Sequence, residues 1–378
     1  MGSLAELLRA FDLPILFPEV TSLQTALCRV SASFLAEAEA MGYSADACSY
    51  LKADLAVHRR GRAHPLGPLP PPAIAVATTA CSTYVKWAEA WQALYGTEVA
   101  VLDVPGPRHP SERFADVPPA DRAWVRGQLD GLVATLERLT GRRLDRERLR
   151  ENLAASREML GEWRRLLEGN ARHGWFNAVV EGTSFLGVVN LYRGTGTGAR
   201  FARSLREGLE ALPAGPSARG GYALAWAGIP CYPLFRRLDA LFGRHGARFV
   251  ASTYLTFASG GGTAPAAGWY DDPLDALAEQ LLVGVRRATE SMFTPERELA
   301  EVASRCALDG VVLHAVKSCR TTSTVLATTR QVVRETLGLP CLLLESDMVD
   351  PRAVSEAQLA NRVDAFMEAL ARTPRRTP

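Results

Sequence analysis

Three of the seven cysteines in this 378-residue chain stand where a thiol can do chemistry. Cys81 follows an apolar run, Ala73 to Ala77, and opens a helical stretch. Cys319 has the same placement after the run Gly310 to His314. Cys48 lies in an Ala-Cys-Ser-Tyr segment at the junction of two helices. Backbone N–H groups and the helix dipole favour a thiolate at a helix start. Thiolates at element ends, drawn from both halves of a chain, can close on one metal centre between domains. Free cysteine is also among the most buried residue types, so each thiol alone reads equally as a small hydrophobe. Cys28 falls in the apolar spacing of the first helix and Cys341 begins a hydrophobic strand, so both read as core. Cys306 near a helix end reads as structural. Cys231 follows a strand end and is ambiguous. No C-x-x-C pair occurs, which excludes a zinc ribbon or a ferredoxin-type run.

The elements that position these residues follow from periodicity. Leu23, Leu27, Val30, Phe34 and Ala38 predict one amphipathic helix, and Ala47 to Val57 a second. Pro65 to Pro72 predict a stiff extended connection. Strand (Ala73 to Ala77), helix (Ser82 to Tyr95) and strand (Val99 to Leu102) imply a parallel pair with a crossover helix. Asp121 to Arg193 reads as helical, with charged faces such as Arg142 to Arg148 facing solvent. Ala211 to Gly221, with two prolines and three glycines, predicts a domain boundary. Strands follow at Tyr222 to Ala227, Ala247 to Ala251, Gly310 to His314 and Cys341 to Glu345, with a last helix over Ser355 to Ala371. The expected fold is α/β: two open parallel-sheet (flavodoxin/Rossmann-like) domains with an N-terminal helical segment and a helical insertion. Residues 1–210 form the first unit and 211–378 the second. Ligands of such sheets sit outside the carboxyl ends of the strands, where Cys81, Cys231 and Cys319 fall.

Composition narrows the class. At 47% hydrophobic and 22% charged residues the chain is an ordinary globular protein, and 43 basic against 41 acidic residues leave no field for a phosphate backbone, so nucleic acid is not an expected partner. The uncharged stretch Phe249 to Tyr270 is broken by glycines and Pro265 and cannot span a membrane. The opening residues carry no signal-peptide pattern and Glu6 breaks the myristoylation pattern, so a reducing cytoplasm is expected.

Gly42-Tyr43-Ser44-Ala45-Asp46-Ala47-Cys48-Ser49-Tyr50 resembles the first cysteine motif of the benzoyl-CoA reductase and 2-hydroxyacyl-CoA dehydratase family. Thr78 to Trp87 around Cys81, followed by Val101 to Pro105, resembles the second. Lys317-Ser318-Cys319-Arg320 and then Leu344 to Arg352 resemble the third cysteine and the closing segment. Asn361 to Glu368 and Phe17-Pro18-Glu19 extend the likeness to both ends. The motifs stand in the family's order along most of the chain.

The resemblance implies a subunit holding one [4Fe–4S] cluster through Cys48, Cys81 and Cys319, with the fourth iron open. It implies a homologous second subunit or self-association, and a separate ATP-hydrolysing iron–sulfur activator, in an anaerobic setting. This chain has no G-x-x-x-x-G-K-[ST], and its run Arg193 to Gly198 reads as a flexible turn, not a phosphate cradle. Relatives with a double cubane use further cysteines; here Ser252-Thr253-Tyr254 has none, so a single cubane is expected. The first function implied is the reduction of an aromatic acyl-CoA, with Glu19 and Tyr254 as candidates for polar contact or proton delivery and Arg320 for a CoA phosphate. Surface exposure of Glu19, core packing of Tyr254 and an ordinary salt bridge at Arg320 are the plainer alternatives. A radical 2-hydroxyacyl-CoA dehydratase subunit and a non-catalytic cluster-binding relative are the other functions that fit; a zinc protein is a remoter fourth.

Overall fold

The computed structural model describes residues 4–109, 112–215, 220–260 and 271–373. It is an α/β protein with two parallel sheets among many helices. Four helices come first: α1 (Ala5–Ala10), α2 (Pro18–Leu27), α3 (Ser31–Ala40) and α4 (Ser49–Arg59). The single helix expected over Leu23 to Ala38 is two. Arg29 takes a left-handed φ of 60°, and the chain turns there. Leu27 and Val30 are exposed at that turn, and so is Cys28, which is therefore not a core residue.

The first sheet pairs β1 (Ile74–Thr78) with β2 (Glu98–Leu102), Ile74 opposite Glu98 and Thr78 opposite Leu102. The crossover helix α5 (Ser82–Tyr95) joins them and ends at Gly96, whose φ of 64° is the usual glycine stop. The helical insertion follows as α6 (Pro119–Thr140), α7 (Arg146–His173), α8 (Glu181–Leu191) and α9 (Gly196–Glu210). The glycine-rich run is the start of α9 and not a free turn. Thr195 Oγ1 accepts from Gly198 N at 3.0 Å, and the buried Arg193 donates to Glu6 at 2.9 Å.

The second half brings β3 (Tyr222–Ala227), α10 (Phe235–Gly243), β4 (Ala247–Ser252), α11 (Thr253–Phe257), α12 (Pro273–Phe293) and α13 (Pro295–Ala303). β5 (Gly310–Val316), α14 (Arg320–Ser323), α15 (Leu326–Glu335), β6 (Cys341–Ser346) and α16 (Glu356–Ala371) complete it. The sheet runs β4-β3-β5-β6, all parallel. Gly-Val-Val-Leu-His-Ala-Val of β5 is apolar almost throughout because helices cover both faces of a central parallel strand. Residues 216–219 of the expected boundary and 261–270 of the uncharged stretch lie outside the described residues.

One buried cluster takes Leu35, Tyr50, Trp163 and Phe176 from before residue 210 and Leu224, Trp226 and Phe249 from after it. The order of the larger sheet reverses between β3 and β5, which makes the chain leaving those strands the switch point where α/β ligands bind. Gly228, just past β3, has a φ of 111°, and a Cβ there would meet the His314 carbonyl at 2.9 Å. Only glycine lets the two strand exits lie this close. Among the described residues, no helix is long and apolar enough to cross a membrane.

Candidate functional site

Each of the three cysteines immediately precedes a helix: Cys48 before α4, Cys81 before α5 and Cys319 before α14. Each is half-buried. The fold brings them together. Burial pushes the Cys48 thiol far above its ordinary value, and Cys319, Cys81 and Glu19 act on it in the same direction. Burial likewise raises the Cys319 thiol, with Cys81 and Glu19 adding to it. First-turn N–H groups do pull the other way, Leu51 on Cys48 and Thr322 on Cys319, but desolvation and like-charge proximity win. The thiolate expected of Cys319 from its helix start alone therefore does not follow. A bound cation would reverse that balance, because it takes the proton's place.

Two buried carboxylates hold this arrangement. Asp347, 1% exposed, accepts from Ser49 Oγ at 2.6 Å and from Ser318 N at 3.0 Å, as well as from Ser318 Oγ. Ser318 Oγ in turn lies 3.0 Å from Ser49 Oγ. The residues adjoining Cys48 and Cys319 are thus tied to one side chain at the end of β6. Asp54 on α4 accepts from both Trp87 and Trp91 on α5, at 2.7 and 2.9 Å. That clamp sets the angle between the helices that begin at Cys48 and Cys81.

Glu19, the second residue of α2, accepts a hydrogen bond from Tyr84 at 2.8 Å. Burial raises Tyr84 well above the usual phenol range, and Glu19 and Cys81 beside it add to the shift. Tyr254 is buried, as the plainer expectation had it, and it lies within reach of the Glu19 charge. Tyr232 donates to Tyr254 at 2.8 Å, and Tyr50 packs against Tyr232 with ring centroids 6.4 Å apart. The Tyr50 hydroxyl is buried and completes a cluster with those of Tyr232 and Tyr254. Burial lifts all three phenols, and the Glu19 carboxylate contributes in each.

Arg320 is exposed and pairs loosely with Asp46 at 3.7 Å. Cys231 is fully buried; burial pushes it to about 11, with Ser346 and Asp347 as neighbours. Among the described residues, no group of three or more His, Cys, Asp or Glu is disposed to hold a metal ion. Tyr84, Tyr50, Tyr232 and Asp54 are not among the residues the sequence reading named for the site, whereas Asp347 falls at a strand end, where ligands of such sheets sit. Tyr84 had a legible signal, since it sits one helical turn from Cys81 and so shares its face.

The sequence pattern of the family described as 2-hydroxyglutaryl-CoA dehydratase, D-component, matches residues 3–370. The chain belongs to that family. It is 28% identical over 384 positions to a benzoyl-CoA reductase polypeptide of Thauera aromatica, covering 97% of this chain and 86% of that protein. It is 23% identical over 371 positions to the (R)-2-hydroxyisocaproyl-CoA dehydratase alpha subunit of Clostridioides difficile, covering 97% and 87%. The (R)-phenyllactyl-CoA dehydratase alpha subunit of Clostridium sporogenes is likewise 23% identical, over 374 positions and with the same coverage. These family members are subunits of acyl-CoA enzymes, which agrees with the resemblance carried by the cysteine motifs.

Proposed function

We propose that this chain is the iron–sulfur subunit of a benzoyl-CoA-reductase-like enzyme, with one [4Fe–4S] cluster held by Cys48, Cys81 and Cys319. The observation that supports this most is the convergence of three half-buried thiols from three helix starts beside Glu19. The donor set fits: soft thiolates suit iron–sulfur clusters. When bound, the cluster supplies single low-potential electrons.

The chain's own residues do the rest. Asp347 and Asp54 hold the three helix starts in place before any ligand arrives. The Glu19–Tyr84 pair holds a proton on the phenol oxygen, hydrogen-bonded to the carboxylate at 2.8 Å. The buried Tyr232–Tyr254 pair, with the Tyr50 hydroxyl beside it, keeps water away from that side. Arg320, whose pair with Asp46 is loose, serves the phosphates of CoA or an acidic partner. A homologous second subunit, an ATP-hydrolysing activator and an oxygen-poor cytoplasm complete the proposal.

The likeness to dehydratase alpha subunits favours a second function, a radical 2-hydroxyacyl-CoA dehydratase subunit. Electron stoichiometry separates the two. With the partner and activator present, a reductase consumes electrons in proportion to product, and a dehydratase needs only catalytic amounts. Consumption in proportion to an aromatic acyl-CoA supports the first function; turnover of a 2-hydroxyacyl-CoA on catalytic electrons overturns it in favour of the second.

A further inference from the structure

One face of α5 carries a row of oxidisable rings that begins one turn past Cys81. Tyr84, Trp87, Trp91 and Tyr95 recur at three- and four-residue spacing, which sets neighbours about 5–6 Å apart at Cβ on a helix surface. Tyr84 donates to Glu19 at 2.8 Å. Trp87 and Trp91 are buried with ring centroids 6.4 Å apart, and their indole N–H groups donate to Asp54 at 2.7 and 2.9 Å. His58 of α4 bridges Trp91 and Tyr95, its ring centroid 5.5 Å from each. Tyr95, the last residue of α5, is half-buried, and its hydroxyl lies 2.7 Å from His58 Nδ1. Asp54 Oδ1, 3.4 Å from His58 Nε2, favours the ring hydrogen on Nε2 and leaves Nδ1 to accept from Tyr95.

Packing alone does not ask for this arrangement. An apolar stripe of the same shape needs no acceptors, and a carboxylate as buried as Asp54, 1% exposed, is costly to place in a core. Yet each of the four rings has its acidic hydrogen held by a carboxylate or an imidazole. That pairing is what oxidation requires, because a phenol or indole gives up an electron most readily when a base beside it takes the proton. Neither ring accepts an electron at biological potentials, so the row cannot bring low-potential electrons in. It can pass an electron toward an oxidant beside Cys81 and leave the deficit at the surface, on Tyr95.

We infer that α5 is an oxidation-escape path, running from the thiol site through Tyr84, Trp87 and Trp91 to Tyr95, which sends a one-electron deficit to the surface and spares the cysteines. The path rests on the proposed iron–sulfur site only for its oxidant, a hydroxyl radical formed from peroxide by reduced iron. That radical takes one electron and becomes hydroxide. Tyr84 supplies the electron as its proton moves to Glu19; Trp87 refills Tyr84, Trp91 refills Trp87 and Tyr95 refills Trp91, each proton returning as its ring is refilled. Tyr95 ends as a phenoxyl radical with its proton on His58 Nδ1. A thiol in solution gives Tyr95 one hydrogen atom and is itself oxidised, and the proton released from His58 turns the hydroxide into water.

The test uses the full chain free of iron. A ruthenium polypyridyl photo-oxidant is attached to Cys81 in a background carrying Cys28→Ser, Cys48→Ser and Cys319→Ser, its place confirmed by peptide mapping. A flash with a soluble quencher makes it a one-electron oxidant, and a nitroso spin trap followed by peptide mass mapping locates the resting radical. A spin adduct on Tyr95 is expected. Its loss is expected in Trp87→Phe and in Trp91→Phe, which keep a ring in the core but not an oxidisable one, and its return in Trp91→Tyr. No adduct on Tyr95, or an adduct indifferent to Trp87→Phe and Trp91→Phe, overturns the path. Loss in Trp91→Phe without return in Trp91→Tyr overturns it as well, since Trp91 then serves packing alone. Because the sample holds no iron, a failure here is distinct from a failure of the iron–sulfur assignment.

Discussion

Ser49 Oγ donates to Asp347 at 2.6 Å, and Ser318 donates to the same carboxylate from both its backbone and its side chain. Because Ser49 follows Cys48 and Ser318 precedes Cys319, one buried carboxylate sets the relation between two thiols that are far apart in the chain. Val349 N and Asp350 N, each at 3.0 Å, anchor the carboxylate itself to the turn after β6. Asp347→Ala strands at least three buried donors, so a loss of about 3 kcal/mol or more is expected from chemical denaturation. Faster alkylation of Cys48 and Cys319 in the folded variant is expected as well; an unchanged denaturation midpoint together with unchanged alkylation contradicts the role.

Asp54 does the same for the other pair of helices. Removing it leaves the indole N–H groups of Trp87 and Trp91 buried without an acceptor, and leaves His58 without the carboxylate 3.4 Å from its Nε2. Asp54→Ala is expected to cost about 3 kcal/mol and to shift the tryptophan emission to the red, both read in one urea titration.

Acid stability has an identifiable contributor in His314. It is fully buried on β5, with Nδ1 against the Ile229 carbonyl and Nε2 against Ser346 Oγ, and burial lowers it from 6.5 to about 4. Below about pH 6.5 the unfolded chain takes up a proton that the folded chain refuses, so this stabilising contribution declines as pH falls and is lost by about pH 4. The span is on the order of 3 kcal/mol. In His314→Gln the stability difference between pH 7 and pH 4 is expected to shrink by that amount, measured by denaturation at both pH values.

Glu19 and Tyr84 carry the proton side of the proposed reaction. Glu19→Gln and Tyr84→Phe are each expected to lower turnover about a hundredfold while leaving iron content unchanged. Loss of iron in either variant would instead make the pair a support for the cluster.

Much of this architecture was legible in local pattern. The strand Tyr222–Ala227 and the helix Ser82–Tyr95 carry the expected bounds, because unbroken apolar runs and a glycine stop define them without help from the rest of the fold. The turn at Arg29 was not legible, because apolar residues keep helical spacing across it and only the tertiary exposure of Leu27 and Val30 reveals the break. Arg193 read as part of a flexible turn because its partner, Glu6, is remote in sequence. At the site, Cys81 and Cys319 could be picked out by their place after strands and before helices, and Cys48 by its place at the junction of two helices. Asp347 stands at an equally legible place just past a strand, but its role as the anchor of two cysteine segments shows only once its donors are known, and Asp54 has no such signal. The raised thiols of Cys48 and Cys319 were invisible for the same reason: helix position is local, and desolvation is not.

The most direct test of the central claim is iron and acid-labile sulfide per chain on anaerobically purified protein, beside Cys48→Ala, Cys81→Ala and Cys319→Ala. About four of each per chain, lost in all three variants, is the predicted result. No iron after anaerobic reconstitution, or iron that persists when these cysteines are removed, would contradict it.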